Sequence, residues 1–326
     1  MSRIMSGDAD SKRLFALFAL LLGFSLTTAM TAWAAPLQLS DSQEPGSVLV
    51  FPLFETGAVG GVPISQFQIS VTCPTAFCAD GQDVDIRVDW VCPGTGDNTK
   101  CAERDFVMDT TVNGTITFTP PTLPCTRGYL IAWVVNEAAP GVNISFNGLT
   151  GNAVIRESNT AVTSYNAIPI QAIPAVGVVV PGSPRLIFDG IRSYRAVTGV
   201  IIGNVRFDLM GNNETSLVLL TLDVLSNRAN RETITDVIAF DRFESPNSSA
   251  ASFTCWGEVS LSALNLNPIP GDFGLITSAP AVNSAGAPVT MLGFVITREP
   301  STAVPTRHYA YPLLNDSSAV ATTFVP

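Results

Sequence analysis

The chain has 326 residues, enough for one or two sizeable cores, with 46% apolar residues and only 13% charged. That balance excludes an intrinsically disordered chain, and a net charge of −10 argues against an electrostatic nucleic-acid binder. A single His and a scarcity of Lys remove multi-histidine metal sites and most lysine-dependent chemistry.

The N-terminus reads as an address. Arg3, Lys12 and Arg13 precede the apolar run Leu14 to Leu22, and Ala32-Trp33-Ala34 forms a small-residue exit before Ala35. Basic start, apolar middle and A-x-A exit predict a secretory signal peptide over residues 1–34. No later apolar stretch is long enough for a membrane helix, so the mature chain is expected to be soluble, without membrane insertion, outside the cytoplasm.

Past the leader, strand patterns follow one another. They fall at Val48 to Phe54, Phe67 to Cys73, Asp83 to Trp90, Thr115 to Phe118, Tyr129 to Val135 and Val142 to Phe146. Later ones are Leu186 to Phe188, Val200 to Leu209, Leu217 to Leu225, Thr235 to Phe240, Phe253 to Leu264 and Val289 to Thr297. Asp83 to Trp90 alternates polar and apolar without a fault, which means one wet face and one buried face. Turn clusters such as Gly211-Asn212-Asn213 separate the runs. Short strands with regular turn signals predict an all-β, antiparallel, sandwich-like fold. A Pro- and Gly-rich but apolar connection, residues 168–184, is expected to pack between two β domains, 35–167 and 185–326. An outer-membrane barrel is disfavoured by six cysteines and by too few Tyr and Trp for two girdles.

The six cysteines, Cys73, Cys78, Cys92, Cys101, Cys125 and Cys255, are an even set in an exported chain and predict disulfides. Cys92 and Cys101 flank the turn-rich tip Pro93 to Asn98, so they are expected to staple a hairpin. Cys73–Cys78 is a second local pair, which leaves Cys125 for Cys255 by elimination.

That hairpin holds the best local constellation. A symmetric register sets Asp89 opposite Arg104 but turns Glu103, Asp105 and Asp109 toward the apolar face. Shifting by one residue through a bulge places Phe106 and Met108 there instead. The polar face then gathers Asp85, Arg87, Asp89, Glu103, Asp105 and Asp109, with Asp opposite Asp. Either Arg87 or a cation must compensate, and calcium on Asp85, Asp89, Asp105 and Asp109 is the cation candidate. The plainer expectation is a solvated acidic face.

Catalytic motifs are absent. No G-x-S-x-G, Walker loop, dinucleotide fingerprint or H-E-x-x-H occurs, and His308 stands alone. Paired carboxylates could still hydrolyse glycosides, but spacing in sequence singles out none. Asn-x-Ser/Thr triplets begin at Asn113, Asn143, Asn213, Asn247 and Asn315.

Ser47-Val48-Leu49-Val50-Phe51-Pro52, Gly128 to Val135, Ala153-Val154-Ile155-Arg156 and Ala167 to Ala172 resemble a group of uncharacterised exported bacterial proteins. The resemblance covers mainly residues 47–172. It implies bacterial origin and export and carries no activity or site residue. The expected function is therefore a non-enzymatic secreted, periplasmic or cell-surface protein, in adhesion, assembly or structure. Its partner would be a second copy or an extracellular glycan. The alternatives are a carbohydrate-binding module using Trp90, Trp133, Trp256, Tyr309 or Tyr311, and a carboxylate-dependent glycoside hydrolase.

Overall fold

A computed structural model describes residues 44–325, apart from 74–77, 79–80, 94–100, 137, 157–161, 207–213, 230, 241–245, 265–272, 300–306, 314–318 and 321. The leader expected over 1–34 lies outside the described residues. From the N-terminal side come β1 (Val48–Glu55), the two-residue strands β2 (Ala58–Val59) and β3 (Val62–Pro63), and β4 (Ser65–Val71). Then follow β5 (Asp83–Cys92), β6 (Ala102–Thr111), β7 (Thr115–Phe118), β8 (Arg127–Asn136) and β9 (Ala139–Asn143). Next are β10 (Leu149–Arg156), β11 (Val162–Asn166), β12 (Ile168–Ile170), β13 (Leu186–Phe188), β14 (Val197–Thr198), β15 (Ile202–Arg206) and β16 (Glu214–Leu220). A five-residue helix, α1 (Val224–Arg228), leads to β17 (Thr233–Phe240), β18 (Pro246–Phe253), β19 (Trp256–Ser260) and β20 (Phe273–Ser278). The chain ends with β21 (Val282–Asn283), β22 (Leu292–Glu299), β23 (Arg307–Leu313), β24 (Ala319–Val320) and β25 (Thr322–Phe324). The protein is all-β and antiparallel throughout its named pairings.

One sheet runs β12-β1-β8-β5-β6, with β9 beside β8; a second runs β11-β10-β4-β7. β4 alternates buried and exposed residues along Ser65–Val71, as period two demands of a strand with one wet face. β1 lies inside its sheet, between β12 and β8, and is buried from Val48 to Phe54, so the first apolar segment is core. The two sheets meet through rings. Phe67 of β4 packs edge-on to Phe51 of β1 at 5.3 Å and to Trp90 of β5 at 5.4 Å. Gly151 of β10 is needed there, because a Cβ would collide with the Phe51 ring and Leu49. The apolar stretch after residue 167 begins as β12, which pairs with β1 from Ile168 to Ile170.

The second half supplies the sheets β15-β20-β17-β18 and β19-β16-β22-β23. The latter is apolar on both sides. Leu217 and Leu219 of β16 join Val237 and Ile276 in one core, whereas Val218 and Leu220 join the core built on β1 and β8. β22 divides likewise, with Val295 in the first of these and Phe294 and Ile296 in the second. Strand Leu217–Leu220 therefore reads as a continuous apolar run, the pattern of a strand buried on both faces.

Three disulfides close the structure, and two differ from the sequence expectation. Cys73 pairs with Cys78 as expected; Cys92 pairs with Cys125 and Cys101 with Cys255. The reason is register: Cys92 faces Ala102, not Cys101. Neighbouring positions on paired strands point to opposite faces, so the two cysteines leave the hairpin on different sides. Cys101, with φ at +53°, turns toward the second half and ties it covalently to β6.

Candidate functional site

The hairpin β5–β6 adopts the shifted register. Asp85 faces Asp109, Asp89 faces Asp105, Ile86 faces Met108 and Val88 faces Phe106. The ladder is regular from Asp83↔Thr111 to Cys92↔Ala102, so no bulge interrupts the strands and the offset is absorbed outside them. The acidic face is covered along β5 and open along β6, where Asp105 and Asp109 are exposed. Asp89 has no exposed surface and Asp85 is buried, because this face of the sheet lies beneath the second half. Tyr129 on β8 donates its hydroxyl to the Thr221 carbonyl at 3.0 Å, and Trp133 meets the Phe324 ring at 6.2 Å.

Arg87 supplies the positive charge that the sequence reading sought either there or from calcium. Its Nε lies 3.0 Å from Asp89 Oδ1 and its Nη2 3.2 Å from Asp105 Oδ2. Its guanidinium also stacks 5.3 Å from the Trp133 ring centre, a cation–π contact. Asp89 Oδ2 is buried without a hydrogen-bond partner. Burial pushes the Asp89 carboxyl up to about 7, against the pull of Arg87 and with help from Glu103 and Asp105. Glu103 rises as well, chiefly through burial, although Arg228 of α1 pairs with it at 2.5 Å. Arg228 Nη2 also donates to the Cys101 carbonyl at 3.1 Å, beside the disulfide. Among the described residues, no three His, Cys, Asp or Glu side chains converge as a metal site.

A second charged group stands at a cleft of about 520 Å³, lined by Arg127, Ser216, Trp256, Glu258, Ser260 and Arg298. Arg127 spans two carboxylates, Glu55 at 2.9 Å and Glu258 at 2.9 Å. Arg298 reaches the same two, Glu258 at 2.6 Å and Glu55 at 3.9 Å. Strand pairing builds this arrangement: Glu55 faces Arg127 on β1–β8, Val218 of β16 faces Glu258, and Glu214 of β16 faces Arg298. Sequence spacing gave no sign of the quartet, since its members are scattered over more than 240 positions. General acid–base work by two carboxyls needs one to give a proton and one to accept it. Here both are spanned by the same two guanidiniums, which is the pattern of a latch between the two halves.

The three named tryptophans take structural posts. Trp90 and Trp133 have no exposed surface, and the Trp256 indole N–H donates to the Pro52 carbonyl at 2.8 Å. Tyr309 and Tyr311 lie on β23, facing Thr297 and Val295 in register, and His308 faces Arg298. Asn143 is buried; its amide donates to the carbonyls of Pro184 and Arg185 and accepts from the Trp133 indole. An Asn so enclosed is no glycan acceptor in the folded protein.

The chain matches no protein-family model and no curated protein. The three disulfides fit an oxidising environment, extracellular or periplasmic. No helix among the described residues is long and apolar enough to cross a membrane.

Proposed function

We propose that this chain is a non-enzymatic exported protein of the bacterial envelope or cell surface, working in adhesion, assembly or structure through its β-sheet surfaces. One observation carries the reading. The carboxylates and arginines at the polar cleft neutralise one another across the junction of the two halves. The indoles that could have formed a sugar platform are spent on packing. What remains outward is a disulfide-braced β surface, with Ser248, Ala250 and Ser252 among its exposed positions.

The test is to express the full chain with its leader in a bacterial host, locate it by fractionation, and assay the purified oxidised protein. Recovery from the envelope or medium, with association to envelope material and no turnover of polysaccharides, supports the reading. Retention in the cytoplasm with reduced thiols overturns it. So does glycoside turnover that disappears in Glu258→Gln.

A further inference from the structure

β18 breaks the usual rule for the edge of a sheet. It pairs with β17 on one side through eight consecutive positions, Thr233↔Phe253 to Phe240↔Pro246, without a register shift. Among the described residues no strand pairs with its other side. Sheet edges are normally blunted by charge, proline, bulges or shortness, because their unpaired N–H and C=O groups recruit other strands. Pro246-Asn247-Ser248-Ser249-Ala250-Ala251-Ser252-Phe253 has no charged residue, and its one proline is at the first position. The long edge strand β6, by contrast, carries Glu103, Arg104, Asp105 and Asp109.

We propose that β18 is a self-pairing edge: two copies of this chain join antiparallel through β18 into one continuous sheet across a two-fold axis. The proposal deepens the assembly reading above and rests on it. The uncharged edge admits a second copy as occupant. Two chains of net charge −10 repel each other, and β18 offers an approach with no like charges facing. The sequence is also self-complementary in size. With the axis through Ser249, Ser248 faces Ala250, Asn247 faces Ala251 and Pro246 faces Ser252, so each pair shares one side of the sheet and no bulky side chain opposes another. An isologous pairing uses the edge up, so it closes as a dimer and does not grow into a filament. A ladder of this length is a small interface, and the dimer is expected to depend on concentration.

Light scattering on the oxidised, leader-processed chain over a concentration series tests this, beside Ser248→Lys/Ala250→Lys. Both positions are exposed, and an unchanged thermal melt will show that the variant folds. Dimer formation in the parent, lost in the variant, supports the proposal, as does slowing of amide exchange over 246–253 with rising concentration. A parent that stays monomeric at every concentration overturns it. Self-association that survives the two lysines also overturns it, while leaving the broader assembly reading in place through another surface. A monomer that also ignores envelope material sinks both.

Discussion

Asp89 and Asp105 face each other across the β5–β6 ladder, and the guanidinium of Arg87 touches both. Like charges directly opposite are unfavourable on a sheet. The alternative register would set Glu103, Asp105 and Asp109 against the aromatic core around Trp90 and Phe67. Burying those carboxylates unpaired costs more than one bridged pair, so the core decides the register and Arg87 makes it tolerable.

That arrangement leaves a pH signature. The Asp89 carboxyl titrates near 3.8 when unfolded and is pushed up to about 7 in the fold, so the native state holds its proton more tightly. A group raised in this way contributes stability that is complete below about 4 and lost as pH rises through about 7. The difference is worth roughly 4 kcal/mol over the full range. Glu103 is raised too and adds to the slope in the same sense. Tm should therefore fall between about pH 4 and pH 7, and Asp89→Asn should flatten most of that fall. Equal slopes in the two proteins would assign the titration elsewhere.

The disulfides should rank by the loops they close. The chain-entropy relation gives about 5 kcal/mol for Cys101–Cys255, separated by 154 residues. It gives about 4 kcal/mol for Cys92–Cys125, at a separation of 33, and about 2 kcal/mol for Cys73–Cys78, at 5. Serine pairs at each site, compared by urea unfolding, should lose stability in that order. Peptide mapping of the unreduced protein checks the connectivity itself. A Cys92–Cys101 peptide would restore the hairpin staple and reject the pairing described here.

Much of the strand pattern was legible, and the failures have physical causes. Thr115–Phe118 and Leu186–Phe188 are strands at the residues read from sequence, because compact apolar runs between turn signals mark their own ends. β18 was missed because Asn, Ser and Ala carry no apolar alternation to detect. The polar side of β5 was read as wet because period two reports which residues share a face, not what covers it. Its cover comes from Thr221, Arg228 and Phe324, more than 85 residues further along the chain. The Glu55, Arg127, Glu258 and Arg298 quartet was invisible for the same reason.

Within that quartet, coupling should follow burial. Arg298 and Glu258 are 18% and 12% exposed, whereas Arg127 is 45% exposed and more screened by water. Double-mutant cycles with Ala should give about 1–2 kcal/mol for Arg298–Glu258 and about 0.5 kcal/mol for Arg127–Glu258. Raising the salt concentration should erode the second more than the first. The reverse order would mean that the cleft is drier around Arg127 than its exposure indicates.

Phe324, two residues from the last position, gives the clearest test of how the C-terminus is held. β25 pairs with β13 over only three positions, Leu186↔Phe324 to Phe188↔Thr322. Such a short ladder is marginal alone, so anchorage must come from the buried ring against Trp133. Emptying that site in Phe324→Ala should cost about 3–5 kcal/mol, because a cavity adds to the lost transfer energy. Thr323, on the partly exposed face, should tolerate alanine within about 0.5 kcal/mol. Denaturant unfolding followed by tryptophan fluorescence measures both, since Trp133 reports directly on the contact. Equal, small losses in the two variants would show that the terminal strand is not docked on Trp133 in solution.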